Sequence, residues 1–170
     1  MVEAFVMLDY AVVQNLVLLY GVVFVVLNLL IDISYAWLFW AVKAGLPAQR
    51  IFQSVAAGLL GKASFMGGWP TAFLGLGLHF FIATSMSLTY YLVARRWPLL
   101  REHPLACGAG YGLVLYGIMN FVVVPLSAAS GGSKDPLWIA LSVGVHALFI
   151  GIPIALFSRL ALDQPAGRAA

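Results

Sequence analysis

Charge is what this sequence has least of. Only 9% of its 170 residues are Asp, Glu, Lys or Arg, while 63% are hydrophobic; soluble domains carry roughly 25% and 45–50%. So few charges cannot cover an aqueous surface, which excludes a soluble globular fold. The single cysteine, Cys107, excludes an internal disulfide, and three histidines without local ligand spacing exclude a self-contained zinc site, so no metal is expected. A phosphate loop is also missing. Gly58-Leu59-Leu60-Gly61-Lys62-Ala63-Ser64 has Ala56 where the pattern needs glycine and Ala63 where it needs a hydroxyl. Ser85, Ser87, Ser127 and Ser130 have no base placed beside them, and serines in apolar helices usually bond to backbone carbonyls. No catalytic residue and no cofactor are therefore expected, and the chain reads as a non-enzyme. The start, Met1 to Tyr10, carries Glu3 and Asp9 rather than a basic segment, so a removable signal peptide is not expected. A net charge of +3 spread over short loops gives no reason to expect nucleic acid as a partner.

What the sequence has is four long apolar stretches, at about residues 16–42, 70–93, 105–128 and 137–158. Each is long enough to cross a bilayer at about 20 residues per span. The fold class this predicts is all-α, an integral membrane four-helix bundle forming a single domain over about residues 1–162, with a disordered tail at 163–170. The first stretch amounts to roughly 40 Å of helix, more than the hydrocarbon core needs, so it must tilt or protrude. Between the first two spans, residues 47–61 follow the break at Gly45-Leu46-Pro47 and are too short to cross. Apolar Ile51, Phe52, Val55 and Leu59 alternate with polar Arg50, Gln53 and Ser54, which predicts a short interfacial helix rather than one folded back between spans. Trp69, Tyr90 and Tyr91 stand where aromatic rings favour the headgroup region, and Ser130 to Pro136 reads as a flexible turn.

Each span carries polar groups along a stripe of small residues at helical spacing. The first has Asn28, Asp32 and Tyr35, the second His79, the third Asn120 and the fourth His146. Gly108 with Gly112, and Ala147 with Gly151, have the four-residue spacing that lets helices approach closely. Because the spans alternate in direction, Asp32, His79 and His146 each lie about ten residues from the same side, and Asn120 about six to eight, roughly 10 to 15 Å deep. They would form one polar layer, unless the first span ends near residue 31 and leaves Asp32 at an interface. The default role of such a layer is structural, each interhelical contact being worth about 0.6 kcal/mol. One alternative is a small transporter or proton-coupled channel that uses the layer as a pathway. Another is haem held between His79 and His146. The expected partner is the lipid bilayer, with a second copy or another membrane protein left open.

Orientation rests on little. Arg95, Arg96, Arg101, Arg159 and Arg168 fall on the side of the N-terminus and Lys43, Arg50, Lys62 and Lys134 on the other. The cluster Arg95, Arg96 and Arg101 in one short loop favours both termini in the cytoplasm.

Two resemblances add to this reading. Asp32-Ile33-Ser34-Tyr35-Ala36, Arg50 to Gly61, Gly75-Leu76-Gly77-Leu78-His79-Phe80 and Met119 to Ser127 together resemble an uncharacterised family of small bacterial four-span inner-membrane proteins, over about residues 32–162. The resemblance implies a multi-pass protein of the bacterial inner membrane and brings no activity with it. Residues 9–36, through Asp9-Tyr10-Ala11-Val12-Val13-Gln14 and Val25 to Asp32, resemble the last span of dipeptide and oligopeptide transporter permeases. The rest of a permease is missing, and Phe39-Trp40-Ala41 stands where that family has Asp-Pro-Arg, so its transport function does not carry over. That likeness would place the end of the first span in the cytoplasm, opposite to the charge argument.

Overall fold

The computed structural model describes residues 30–31 and 34–163, and among these the secondary structure is helical with no strand. Helix α1 covers residues 34–44, α2 Gln49–Leu60, α3 Gly68–Arg96, α4 Leu99–Glu102, α5 Pro104–Leu126 and α6 Pro136–Leu162. A 3₁₀ segment, Gly61–Met66, links α2 to α3. By length and composition α3, α5 and α6 could each cross a membrane. Most of the first expected span, with Asn28 and Asp32, lies outside the described residues, as do residues 164–170.

The helix ends follow from local chemistry. Gly45, at φ 62°, closes α1: its N–H reaches the Ala41 carbonyl at 2.9 Å and that of Leu46 the Trp40 carbonyl at 3.4 Å. A residue with a Cβ would resist that left-handed turn. Pro98 forces Trp97 into extended backbone (φ −116°, ψ 100°), which ends α3 after Arg95 and Arg96. The segment before α6 is less free than a Ser-Gly-Gly turn suggests. Asp135 caps α6 by accepting from the Leu137 and Trp138 amides at 2.9 and 3.1 Å, and Pro136 takes the first helical position. The same carboxylate pairs with Lys43, which ties the end of α1 to the start of α6. Asp163, assigned to a disordered tail by sequence, is held by Arg159 at 3.2 Å and faces Arg101 at 3.7 Å.

Small residues make the interior. The buried apolar set is dominated by alanines, Ala36, Ala56, Ala57, Ala72, Ala94 and Ala155, whereas Phe73, Phe81, Leu88, Phe121 and Leu126 face outward. The two small-residue pairs of α5 and α6 meet. A Cβ at Gly112 would overlap the His146 carbonyl, and one at Gly151 would overlap that of Gly108. Backbone against backbone at this distance tolerates nothing larger than hydrogen. Below that crossing Tyr90, Ala94, Ile154 and Ala155 form a closed cluster. There the Tyr90 hydroxyl donates to Leu100 O at 3.2 Å and that of Tyr111 to Met86 O at 2.7 Å.

Helix α2 forms where the short helix was expected, at Gln49–Leu60 against 47–61. It packs across α3 at Gly75, where a Cβ would overlap the Phe52 carbonyl. Arg50 and Ser54 are exposed, but Gln53 is only 2% exposed while apolar Leu59 is 63% exposed. Gln53 is buried because its amide donates to Gly68 O at 3.0 Å and to Thr71 Oγ1 at 3.3 Å, so the polar group is satisfied inside the helix pair. At its other end the Ala128 amide donates to Gly58 O, fastening the loop after α5 to α2.

Candidate functional site

Beside and beyond the crossing of α5 and α6 lies a cavity of about 370 Å³ to which α1, α2, α3, α5 and α6 all contribute. Four residues from the sequence stripe line it: Tyr35, His79, Asn120 and His146. Asn28 and Asp32 fall outside the described residues. By numbering, Asp32 precedes the lining residues Tyr35 and Ala36 by three and four positions.

The cavity has three tiers. Its floor is made by Ala83, Met86, Ser87, Ile150 and Ile154, with the Ser87 hydroxyl bonded to Ala83 O at 3.0 Å, and Ile154 also belongs to the closed cluster, so the space ends there. Between floor and mouth the lining carries His79, His146, Tyr116 and Ser142; Asn120 stands nearer the mouth, two turns along α5 from Gly112, which packs on His146, and with its Oδ1 beside Gly132 of the loop before α6. At the mouth Tyr35, Trp40 and Trp138 pack together. Tyr35 stacks on Trp138 with centroids 5.5 Å apart and planes at 24°, and Trp40 lies 5.5 Å from the same ring. From α2, Phe52 and Val55 close the side next to Gly75.

Two of the polar lining side chains, His146 and Asn120, bond to their own helices. His146 Nδ1 stands 2.8 Å from the Ser142 carbonyl oxygen, and Asn120 Nδ2 donates to Tyr116 O at 2.9 Å. A carbonyl only accepts, so Nδ1 of His146 carries the proton in that bond, and Nε2 is the nitrogen on the ring's other edge. Tyr116 meets the imidazole edge-on, centroids 5.4 Å apart at 80°, and so fixes its tilt. His79 is half-buried on α3, one turn beyond Gly75.

Both of these residues sit in π-helical turns, Met119–Val123 in α5 and His146–Gly151 in α6, and each turn ends two residues before a proline, Pro125 and Pro153. Proline cannot bond to the carbonyl four residues back and its ring crowds that carbonyl; a wider turn relieves both problems. The turn also aligns the wall. Trp138, Ser142, His146, Ile150 and Ile154 recur every four residues along α6 and all line the cavity. On a regular α-helix each such step advances about 40°, so Ile154 would stand about 160° round from Trp138. Widening the helix at His146 offsets that drift and keeps the series on one face.

Sequence reasoning had Tyr35 on the layer but missed Trp40 and Trp138 beside it, the contribution of α2, and Tyr116. Extending the four-residue interval back from His146 to Ser142 and Trp138, and from Asn120 to Tyr116, would have found most of them. Among the described residues, no group of three or more His, Cys, Asp or Glu side chains comes together to hold a metal ion. His79 and His146 are the two imidazoles on the lining, and ligation by His146 would fall to Nε2. No family model matches this chain, and neither does any curated protein or solved structure.

Proposed function

We propose that this is a multi-pass protein of a bacterial inner membrane, its first span completing a four-helix bundle, and that the histidine-lined cavity binds a small molecule. Membrane residence is supported by three long apolar helices and by an interior of alanine and glycine beneath an exterior of Leu, Phe and Val. Hydrocarbon makes that inverted arrangement stable, because helices then associate through close packing and not by hiding large apolar side chains. The basic loop with Arg95, Arg96 and Arg101 favours both termini in the cytoplasm. Likeness to small four-span bacterial proteins, resting on the residues quoted above, agrees with this assignment. The expected observation is that the full chain sediments with membranes, resists carbonate and is released by detergent; recovery in the soluble fraction overturns the membrane reading.

Binding is carried by one observation: His79, Asn120 and His146, from three helices, border about 370 Å³ of space. A layer serving only to fasten helices would fill such a volume with side chains, since protein interiors keep few voids larger than a water molecule. The size lies within the usual range for small-molecule sites, roughly 300–1,000 Å³, and a gap between bundle helices is a usual place for one. A floor that ends at Ile154 in the buried cluster favours binding from one side over an open channel.

The test uses the full chain in lipid nanodiscs and the neutral fluorophore N-phenyl-1-naphthylamine. Wild type should give saturable emission with one site per chain, above partition into empty discs. Ala83→Phe, which fills the lower cavity, should abolish it. Emission that rises without saturation, alike in wild type, variant and empty discs, overturns the proposal.

A further inference from the structure

The closed end of the bundle carries a group of charges that the cavity does not use. Ala94, Leu100 and Leu162 meet in the Tyr90 cluster, so their chain neighbours Arg95, Arg101 and Asp163 are brought to one rim. Arg101 Nη1 lies 3.7 Å from Asp163 Oδ1, and Arg159 Nε lies 3.2 Å from Asp163 Oδ2. Two guanidiniums thus share a single carboxylate, and the trio keeps a surplus positive charge. Arg101 is held in place there, its side chain 31% exposed and its Nε buried. Arg95 and Arg96 follow in the last turn of α3, both exposed. Arg95 rests 6.0 Å from the centre of the Tyr91 ring, and among the described residues neither of these two arginines pairs with a carboxylate. A guanidinium presents a rigid fork of N–H donors that matches phosphate oxygens.

The apolar residues beside these arginines indicate where such a phosphate comes from. Leu88 and Leu92, eight and four residues before Arg96, are exposed and share one side of α3 with it. They make an apolar strip with a guanidinium at its end. Trp97, 63% exposed, follows directly, and indole rings favour the headgroup level of a bilayer. A soluble phosphate or an acidic protein segment would meet the charges and leave the strip uncovered. A phospholipid meets both. We infer that the turn from α3 to α4 is a headgroup site for an anionic glycerophospholipid. Its phosphate is bound by Arg95 and Arg96, the surplus charge of the Arg101, Arg159 and Asp163 trio adds to the attraction, and an acyl chain lies along Leu92 and Leu88. This rests on membrane residence and not on what fills the cavity.

Native mass spectrometry of the full chain in neutral detergent tests it, with phosphatidylglycerol and phosphatidylcholine of identical acyl chains added at equal concentration. Wild type should retain the phosphatidylglycerol at least about tenfold more than the phosphatidylcholine. Arg95→Gln combined with Arg96→Gln should bring the two within about twofold of each other. Lys62→Gln combined with Lys134→Gln, at the opposite end of the bundle, should keep the wild-type ratio. Glycerol 3-phosphate at millimolar concentration should leave the lipid bound. Equal retention of both lipids by wild type, equal loss of selectivity in the two paired variants, or displacement by glycerol 3-phosphate overturns the site. So does selectivity that emerges only when Glu3→Gln and Asp9→Asn are combined, since the chain's own carboxylates would then be the occupant. Recovery of the chain in the soluble fraction fails the membrane reading instead, so the two failures are distinguishable.

Discussion

The two ends of this helix bundle solve the packing problem in opposite ways. From the end bearing Arg95, Arg101 and Asp163 up to Gly112 and His146, glycine and alanine hold α5 and α6 in backbone contact, and Tyr90, Ala94, Ile154 and Ala155 pack into a buried cluster. At the other end the same helices diverge, π-helical turns interrupt α5 and α6, and α1 and α2 fold in as walls around an open volume. The transition falls within one residue series on α6, from His146 at the cavity's polar tier to Ile154 in the sealed cluster. Helix separation here depends on side-chain size at the crossing: hydrogen at Gly108, Gly112 and Gly151 closes one end, while rings and branched chains hold the other apart.

That contrast can be broken most severely at the crossing. Gly112→Leu should destabilise the bundle by about 3 kcal/mol or more, because the His146 backbone cannot retreat. Gly110→Leu, two positions away with open space around it, should unfold within about 0.5 kcal/mol of wild type. Reversible unfolding in mixed micelles compares the two, and equal losses would show that the close approach is not what joins α5 to α6. Next in size is Asp135→Ala, which removes the α6 cap and the Lys43 pair at the open end. A loss of about 1 kcal/mol is expected, together with weaker fluorophore binding as Trp138 loosens. A loss of stability without any change in binding would separate the mouth from the cap.

Smaller effects sharpen the comparison. Tyr111→Phe removes the bond to Met86 O at the closed end and should cost about 0.6 kcal/mol while leaving binding intact. His79→Gln, at the open end, should do the reverse: stability within about 0.5 kcal/mol and an altered fluorophore affinity. If His79→Gln loosens the bundle as much as Tyr111→Phe and leaves binding unchanged, the polar tier is structural after all. Pro153→Ala removes the cause assigned to the wide turn; a return to regular α-helix would rotate Ile150 and Ile154 off the lining and lower affinity with little change in stability.

Much of this was legible in the sequence because apolar length and four-residue spacing are one-dimensional signals. They locate α3, α5 and α6 to within a few residues, pair the small residues of α5 with those of α6, and put His79, Asn120 and His146 on inward stripes. They also locate α2, expected at 47–61 and found at Gln49–Leu60, but not the burial of its Gln53. Gln53 looks solvent-facing by composition, and only the carbonyl of Gly68 and the hydroxyl of Thr71, fifteen and eighteen residues away, explain its burial. Nor does a regular helical repeat anticipate the wide turns, although Pro125 and Pro153 inside apolar stretches were their visible sign. Space itself leaves no mark in a sequence. A stripe of polar and small residues reads the same whether its members touch or surround a gap, which is why the polar tier reads first as a fastening. Asn28 and Asp32, two of the six residues on the expected layer, fall outside the described residues.

The central claim is that one end is sealed and the other holds room for a ligand, and paired enlargement of two α3 alanines tests it most directly. Ala83 lines the cavity, and Ala94 is fully buried in the closed cluster. Thermal unfolding of Ala83→Phe and Ala94→Phe in identical nanodiscs should leave the first at or above the wild-type midpoint and strip the second of its cooperative transition. Equal destabilisation by both would mean that the space beside Ala83 is already filled.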